Sequence, residues 1–98
     1  MILVNVEKKK IEIKGHALYA DYGKDIVCSA VSSIVITTIN GIISIDNEAI
    51  YYENKNVKLV LEIKKDDLVT RKLIDNMVEL LTELSKNYPK NIKIKEGV

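Results

Sequence analysis

The only histidine of this chain, His16, lies twelve residues before its only cysteine, Cys28. A thiol and an imidazole are the pair that cysteine-dependent acyl transfer requires, the thiol as nucleophile and the imidazole as general base. No other side chains in the sequence offer comparable chemistry. Two such residues also fall this close by chance, so the surrounding residues and the elements that carry them must decide whether the pair is functional.

The residues around Cys28 predict that it lies at the start of a helix. Asp25 is a good N-cap residue, and the apolar positions that follow fit a helix from about Ile26 to Ile43, with Cys28 in its first turn. The unpaired N–H groups and the positive end of the helix dipole favour negative charge there, which lowers the pKa of a thiol. The same N–H groups can stabilise an oxyanion. On a helical wheel Cys28 lies between the apolar and polar arcs, where a nucleophile is both supported and reachable.

Two neighbours of the pair have roles that the residues alone leave open. Asp25 either caps the helix or orients His16. Ser32 lies one turn after Cys28 on the same stripe of the helix, within hydrogen-bonding reach of the site. His16 directly follows a predicted strand, and a connector of this length can bring its imidazole to the sulfur.

A structural interpretation of both residues competes with the catalytic one. A lone cysteine in an apolar helix is often a small buried hydrophobe, and a lone histidine in a loop is usually solvated. One histidine and one cysteine are too few ligands for a zinc site of the usual type. The sequence therefore predicts no metal and no cofactor.

The composition predicts one ordinary globular domain over residues 1–98. The chain has 98 residues, of which 47% are hydrophobic and 30% charged, and its net charge is +1. That balance does not suggest a nucleic-acid or anionic-membrane partner. One cysteine forms no intrachain disulfide, and Met1–Val6 lacks the features of a signal peptide, so we expect a cytoplasmic protein.

The apolar and turn patterns predict the order ββαββαβ, an α+β fold with two helices packed on one mixed or antiparallel sheet. Asp66 or Asp67 caps the second helix, and Pro89 ends it. A turn over Glu53–Asn56 separates the middle strands. The predicted strands are Ile2–Val6, Ile11–Lys14, Glu48–Tyr52, Val57–Ile63 and Asn91–Lys95.

Three segments carry a competing interpretation. Ile26–Ile45 is almost apolar enough to span a membrane, but serines, threonines and an asparagine interrupt it, so we predict a buried helix of a soluble protein. Lys8–Lys10 is predicted to be a solvated hairpin turn. Tyr51 and Tyr52 are predicted to pack in the core and at the edge of the sheet.

The segment that holds the histidine and the cysteine resembles the signature of a known family. The matching residues are Gly15-His16-Ala17, Gly23, Asp25-Ile26-Val27-Cys28 and Ala30-Val31-Ser32. This pattern, including the spacing of twelve, is similar to that of the ribosomal-processing cysteine protease (Prp or YsxB-like) family. Ser29 departs from it, since the family often has alanine there.

The resemblance implies a cytoplasmic, homodimeric endopeptidase with a mobile loop over its active site. It would remove the N-terminal extension of large-subunit ribosomal protein twenty-seven. By position, Cys28 is similar to the nucleophile and His16 to the general base. Gly15, Gly23, Asp25 and Ser32 match supporting or substrate-binding positions, with Gly15 and Gly23 as hinges of the loop.

Two other functions compete with this expectation. One is a non-catalytic, ribosome-associated binding module of the same fold, which would hold the precursor without cutting it. The other, ranked last, is an RNA-binding protein that uses Lys8–Lys10. The expected partners are the ribosomal-protein precursor and a second copy of the chain, with no membrane and no direct nucleic-acid contact.

Overall fold

The computed structural model describes residues 1–15, 26–55 and 58–97 and has the predicted order ββαββαβ. The strands β2 and β5 alternate apolar and polar residues, and each helix repeats apolar residues at the helical period. The elements are β1 (Ile2–Val6), β2 (Lys10–Lys14), α1 (Ile26–Ile45), β3 (Ile50–Lys55), β4 (Lys58–Ile63), α2 (Leu68–Asn87) and β5 (Ile92–Glu96).

The five strands form one mixed sheet in the order β3-β4-β2-β1-β5. Neighbouring strands are antiparallel except β1 and β5, which are parallel. The β1–β2 hairpin therefore lies inside the sheet, and β3 and β5 form its edges. The sheet is mixed, as predicted.

Both helices cover one face of the sheet and close a single cluster of buried residues. On α1 the buried residues lie on one side, whereas Ser29, Ser33, Thr37 and Asn40 are exposed, as the helical wheel predicts. The core residues are Ile2, Val4, Ile11, Ile13, Val27, Cys28, Val31, Val35, Ile39, Ile42, Ala49, Ile50, Leu59, Leu61, Ile63, Ile74, Met77, Leu81 and Ile92.

Helix α1 is, by length and composition, the one helix in the described part of the chain that could cross a membrane. The core helix of a soluble protein passes the same test. Six of its residues are buried in the shared core, so its apolar character is explained by packing.

The ends of α2 follow the capping signals. Asp67 is the N-cap of α2: its carboxylate accepts a hydrogen bond of 2.8 Å from the backbone N–H of Thr70. At the other end the N–H of Tyr88 donates to Leu84 O at 2.9 Å, and Pro89 follows directly. Helix α1 ends at Ile45, two residues later than predicted.

The prediction was wrong around β3. This strand begins at Ile50 rather than at Glu48, and Glu53, Asn54 and Lys55 belong to it instead of forming a turn. Each of these three residues pairs with a residue of β4, so long-range pairing outweighs the local turn preference of the segment. Residues 56–57 lie outside the described part.

The predicted packing of the two tyrosines is only half right. Tyr51 and Tyr52 lie on an edge strand, as expected, but their exposed fractions are 48% and 39%. Neither is a core residue. Tyr51 pairs with Glu62 and so lies on the face of the sheet away from the helices, whereas Tyr52 pairs with Leu61 on the helix side but is left partly uncovered at the sheet edge.

Candidate functional site

Helix α1 places Cys28 in its first turn, as the capping pattern predicts. The helix begins at Ile26, so Cys28 is its third residue. The first backbone N–H groups of a helix have no partner within it, and the positive end of the helix dipole lies at the same point. The thiol therefore lies where the helix dipole favours a thiolate.

Cys28 is more deeply buried than the helical wheel suggests. Its exposed fraction is 2% and that of Val27 is 3%, whereas Ile26 before them is 65% exposed. The cysteine belongs to the hydrophobic core cluster. Its side chain is therefore not open to solvent, and the expected reachability of the sulfur is not seen.

Gly15 ends β2 in a conformation that only glycine adopts readily. Its φ is +118°, and a Cβ at this position would lie 2.6 Å from the backbone oxygen of Met1 and 3.1 Å from the Cα of Ile2. The hairpin register brings these residues together, since Leu3 pairs with Lys14. Gly15 thus lets β2 end tightly against the start of β1, immediately before His16 in the sequence.

The other predicted site residues are only partly placed. Ser32 is a half-buried residue of α1, one turn after Cys28 and on the same side of the helix. His16, Gly23 and Asp25 lie outside the described residues, as does nearly all of the predicted loop. The proximity of His16 to Cys28 therefore stays a prediction.

The described elements bring the start of α1 and the end of β2 to the same end of the molecule. Asp46, which follows α1, accepts a hydrogen bond of 3.0 Å from Lys65 Nζ, so α1 ends beside the end of β4. A helix of 20 residues is about 30 Å long, so its first turn lies toward the opposite end of the sheet. That is the end where β2 stops at Lys14 and where β4 begins at Lys58.

The approach of Met1 to Gly15 was not predicted from the sequence. A hairpin register for the first two strands would have revealed it, because residues opposite Gly15 must then come from the start of β1. The charged turn between β1 and β2 is compatible with several hairpin registers, so the sequence did not show which residue lies opposite Gly15.

The described residues show no group of three or more histidine, cysteine, aspartate or glutamate side chains that could hold a metal ion. In the ranges 1–15, 26–55 and 58–97 the chemistry of the site thus comes down to the Cys28 thiol, the N–H groups around it and the polar Ser32 side chain. These groups suit a nucleophile and an oxyanion, the two requirements of acyl transfer.

Comparison with known proteins agrees with this chemistry. Residues 1–93 match the family model for cysteine protease Prp. The ribosomal processing cysteine protease Prp of Mycoplasma genitalium is 32% identical over 98 residues, covering 98% of this chain and 96% of that protein. The protein of the same name from Staphylococcus aureus is 26% identical over 98 residues, covering 95% of this chain and 92% of its own length.

Solved structures show the same fold. The ribosomal processing protease Prp from S. aureus with a covalently linked product peptide superimposes with a TM-score of 0.87 at 21% identity, covering 99% of this chain and 100% of that one. The same protease with a substrate peptide gives a TM-score of 0.86. The chain belongs to the Prp family of cysteine proteases.

Proposed function

We propose that this protease removes the N-terminal extension of large-subunit ribosomal protein twenty-seven in the cytoplasm. The observation that carries the proposal is Cys28 in the first turn of α1, in a chain whose relatives are named ribosomal processing proteases. That a relative is described with a covalently linked product peptide supports a nucleophilic mechanism.

In the proposed reaction His16 takes the proton from Cys28 Sγ, and the sulfur attacks the carbonyl carbon of the scissile peptide bond. N–H groups at the start of α1 stabilise the oxyanion. The C–N bond then breaks, and the leaving amine takes the proton from His16. Water, deprotonated by His16, attacks the thioester, which releases the peptide carboxylate and restores the thiol. The reaction needs no cofactor.

The remaining predicted residues act around this pair. Gly15 holds the end of β2 against Met1 and so positions the next residue, His16. Asp25 either caps α1 or orients His16, and Ser32 hydrogen-bonds within the site. The connector from Gly15 to Lys24, hinged by Gly15 and Gly23, opens for the peptide and closes behind it, and the opening exposes the buried sulfur to substrate. The protein forms a homodimer in this proposal.

The direct test is incubation with a peptide that covers the ribosomal-protein extension and the first residues after it. We expect a single cut, lost in Cys28→Ala and in His16→Ala. Ser29→Ala is the matched control, since Ser29 is an exposed neighbour of Cys28 in the same turn and should leave cleavage unchanged. Undiminished cleavage by Cys28→Ala would falsify the mechanism.

A second test uses the fact that Cys28 is the only thiol of the chain. An ordinary cysteine is almost unreactive toward iodoacetamide at mildly acidic pH, because the thiolate is the reactive form. We expect alkylation there that slows in His16→Ala, followed by mass spectrometry of the intact protein. Equal alkylation rates in both proteins would show that His16 does not activate the thiol.

The burial of Cys28 favours one alternative, a module that binds the precursor without cutting it. A thiol that is 2% exposed is also what a structural cysteine would show. This alternative predicts tight peptide binding by calorimetry, no product after long incubation and an unreactive thiol. Binding without cleavage in the wild-type protein would decide for it.

A further inference from the structure

The face of the sheet away from the helices is open and carries most of the charge of the strands. The helix-facing positions of β1, β2 and β4 are buried, whereas the residues between them point to the other side. We call this side the open face. Its charged residues are Lys10, Glu12, Lys14, Glu53, Lys55, Lys58, Glu62, Lys93 and Lys95, six lysines against three glutamates.

Four of these lysines lie in one row across the sheet. The register pairs Lys93 with Leu3, Leu3 with Lys14, Lys14 with Lys58, and Lys58 with Lys55. The row, which we call the lysine row, thus crosses all five strands, with Leu3 at the second position. Since neighbouring strands lie about 4.8 Å apart, it is roughly 19 Å long.

Little negative charge balances the lysine row. Lys58 Nζ lies 3.4 Å from Glu12 Oε2, and Glu12 also has Lys10 at 3.6 Å. Within residues 1–15, 26–55 and 58–97, none of the ion pairs involves Lys14, Lys55 or Lys93. All four lysines are exposed.

Protection of the sheet edges does not explain this arrangement. Lysines on edge strands keep sheets from pairing with each other, which accounts for Lys55 on β3 and Lys93 on β5. Lys14 and Lys58, however, lie on β2 and β4 inside the sheet and directly face each other. Like charges directly opposite each other destabilise a sheet, so the lysine row lowers the stability of the fold. Edge protection therefore does not account for Lys14 and Lys58.

We propose that the lysine row binds the phosphate backbone of single-stranded RNA. Exposed ammonium groups that follow one line across the sheet fit the successive phosphates of a nucleic-acid chain, and the exposed Leu3 side chain offers an apolar contact to a base. The binding is additional to peptide cleavage and does not rest on it. It is an RNA site separate from Lys8–Lys10, which lie at the other end of the sheet.

A groove on the opposite side of the molecule carries an excess of negative charge. The charged lining of this groove of about 490 Å³ between α2 and the sheet consists of five carboxylates and two cations: Glu7, Asp75, Glu79, Glu83 and Glu96 with Arg71 and Lys86. Arg71 pairs with Asp75, whereas no ion pair among the described residues involves the four glutamates. The net charge of +1 therefore combines a sheet face with a net positive charge and a groove with a net negative charge. A polyanion is attracted to the open face and repelled by the groove.

The experiment measures binding of a fluorescein-labelled polyuridine by anisotropy at a series of salt concentrations. The test variant is Lys55→Gln/Lys58→Gln/Lys93→Gln, and the control with the same charge change is Lys8→Gln/Lys9→Gln/Lys72→Gln. We expect the test variant to bind at least about tenfold more weakly, with a salt slope shallower by about 2, since each phosphate contact contributes about 0.7. The control should resemble the wild type, and circular dichroism verifies that both variants are folded.

Each other outcome overturns the RNA site. Absence of RNA binding by the wild type, or equal binding by the test variant, removes it. Equal weakening by the control shows a general charge effect. Displacement of RNA by polyglutamate at the same charge concentration points to an acidic protein partner instead. Cleavage of the free peptide is assayed separately on the same proteins, so a failure of the protease proposal is distinguishable.

Discussion

At the scale of single residues, Gly15 gives the most direct link between backbone geometry and activity. Gly15→Ala places a Cβ 2.6 Å from the Met1 backbone oxygen at a φ of +118°. We expect a loss of about 1–3 kcal/mol in the free energy of unfolding from this strain. We also expect about 100-fold lower peptide cleavage, since His16 follows directly. Urea denaturation and the cleavage assay measure the two effects.

The matched control is Gly41→Ala in the interior of α1. A Cβ there meets nothing within 4 Å, so the substitution should raise the stability by about 0.5–1 kcal/mol through higher helix propensity. Cleavage should be unaffected. If Gly15→Ala proves as stable and as active as the Gly41 variant, the close approach of β1 to Gly15 has no role in positioning His16.

At the scale of elements, the structure shows which of two acidic residues, Asp66 or Asp67, caps α2; the sequence left both as candidates. Asp67→Ala removes the acceptor of the Thr70 N–H and should cost about 1 kcal/mol. Asp66→Ala removes only an exposed ion pair of 3.0 Å with Arg71 Nε and should cost less than about 0.5 kcal/mol. The urea midpoints of the two variants test this order, and the reverse order would contradict the assignment of the cap.

Capping residues and apolar periodicity predict the elements correctly where no long-range strand pairing competes with them. The periodic pattern predicts α2 and its end before Pro89, whereas it leaves Asp66 and Asp67 open as the cap. The turn over Glu53–Asn56 was wrong, because pairing of Glu53 with Val60 and of Asn54 with Leu59 extends β3. Turn propensity is a property of a few residues, whereas strand length depends on a partner elsewhere in the chain.

At the scale of the whole molecule, the open face makes stability depend on pH through Glu12. Partial burial would by itself raise the pKa of this carboxyl, but the ammonium groups of Lys58, Lys10 and Lys14 outweigh that effect and hold its pKa below 4.5. A lowered folded-state pKa stabilises the protein above the unfolded value, and this contribution is lost as the pH falls through the folded-state pKa.

Glu12→Gln should therefore lower the stability at neutral pH by up to about 1 kcal/mol, with the difference from wild type vanishing at acidic pH. Urea unfolding from neutral pH to below the pKa of Glu12 measures it. Glu79→Gln is the control, since none of the ion pairs of the described residues involves Glu79. A constant difference across the pH range would mean that the Glu12 charge does not contribute.

The sequence by itself determined the order of elements, the family and the position of Cys28 at a helix start. These rest on local information: periodicity, capping residues and a motif confined to residues 15–32. Only the tertiary structure decided the deep burial of Cys28, the contact of Gly15 with Met1 and the lysine row. The physical reason is that strand order and register join residues far apart in the chain. Lysines that are far apart in the sequence thereby come to lie side by side in one positive row, although acidic residues elsewhere keep the net charge of the chain near zero.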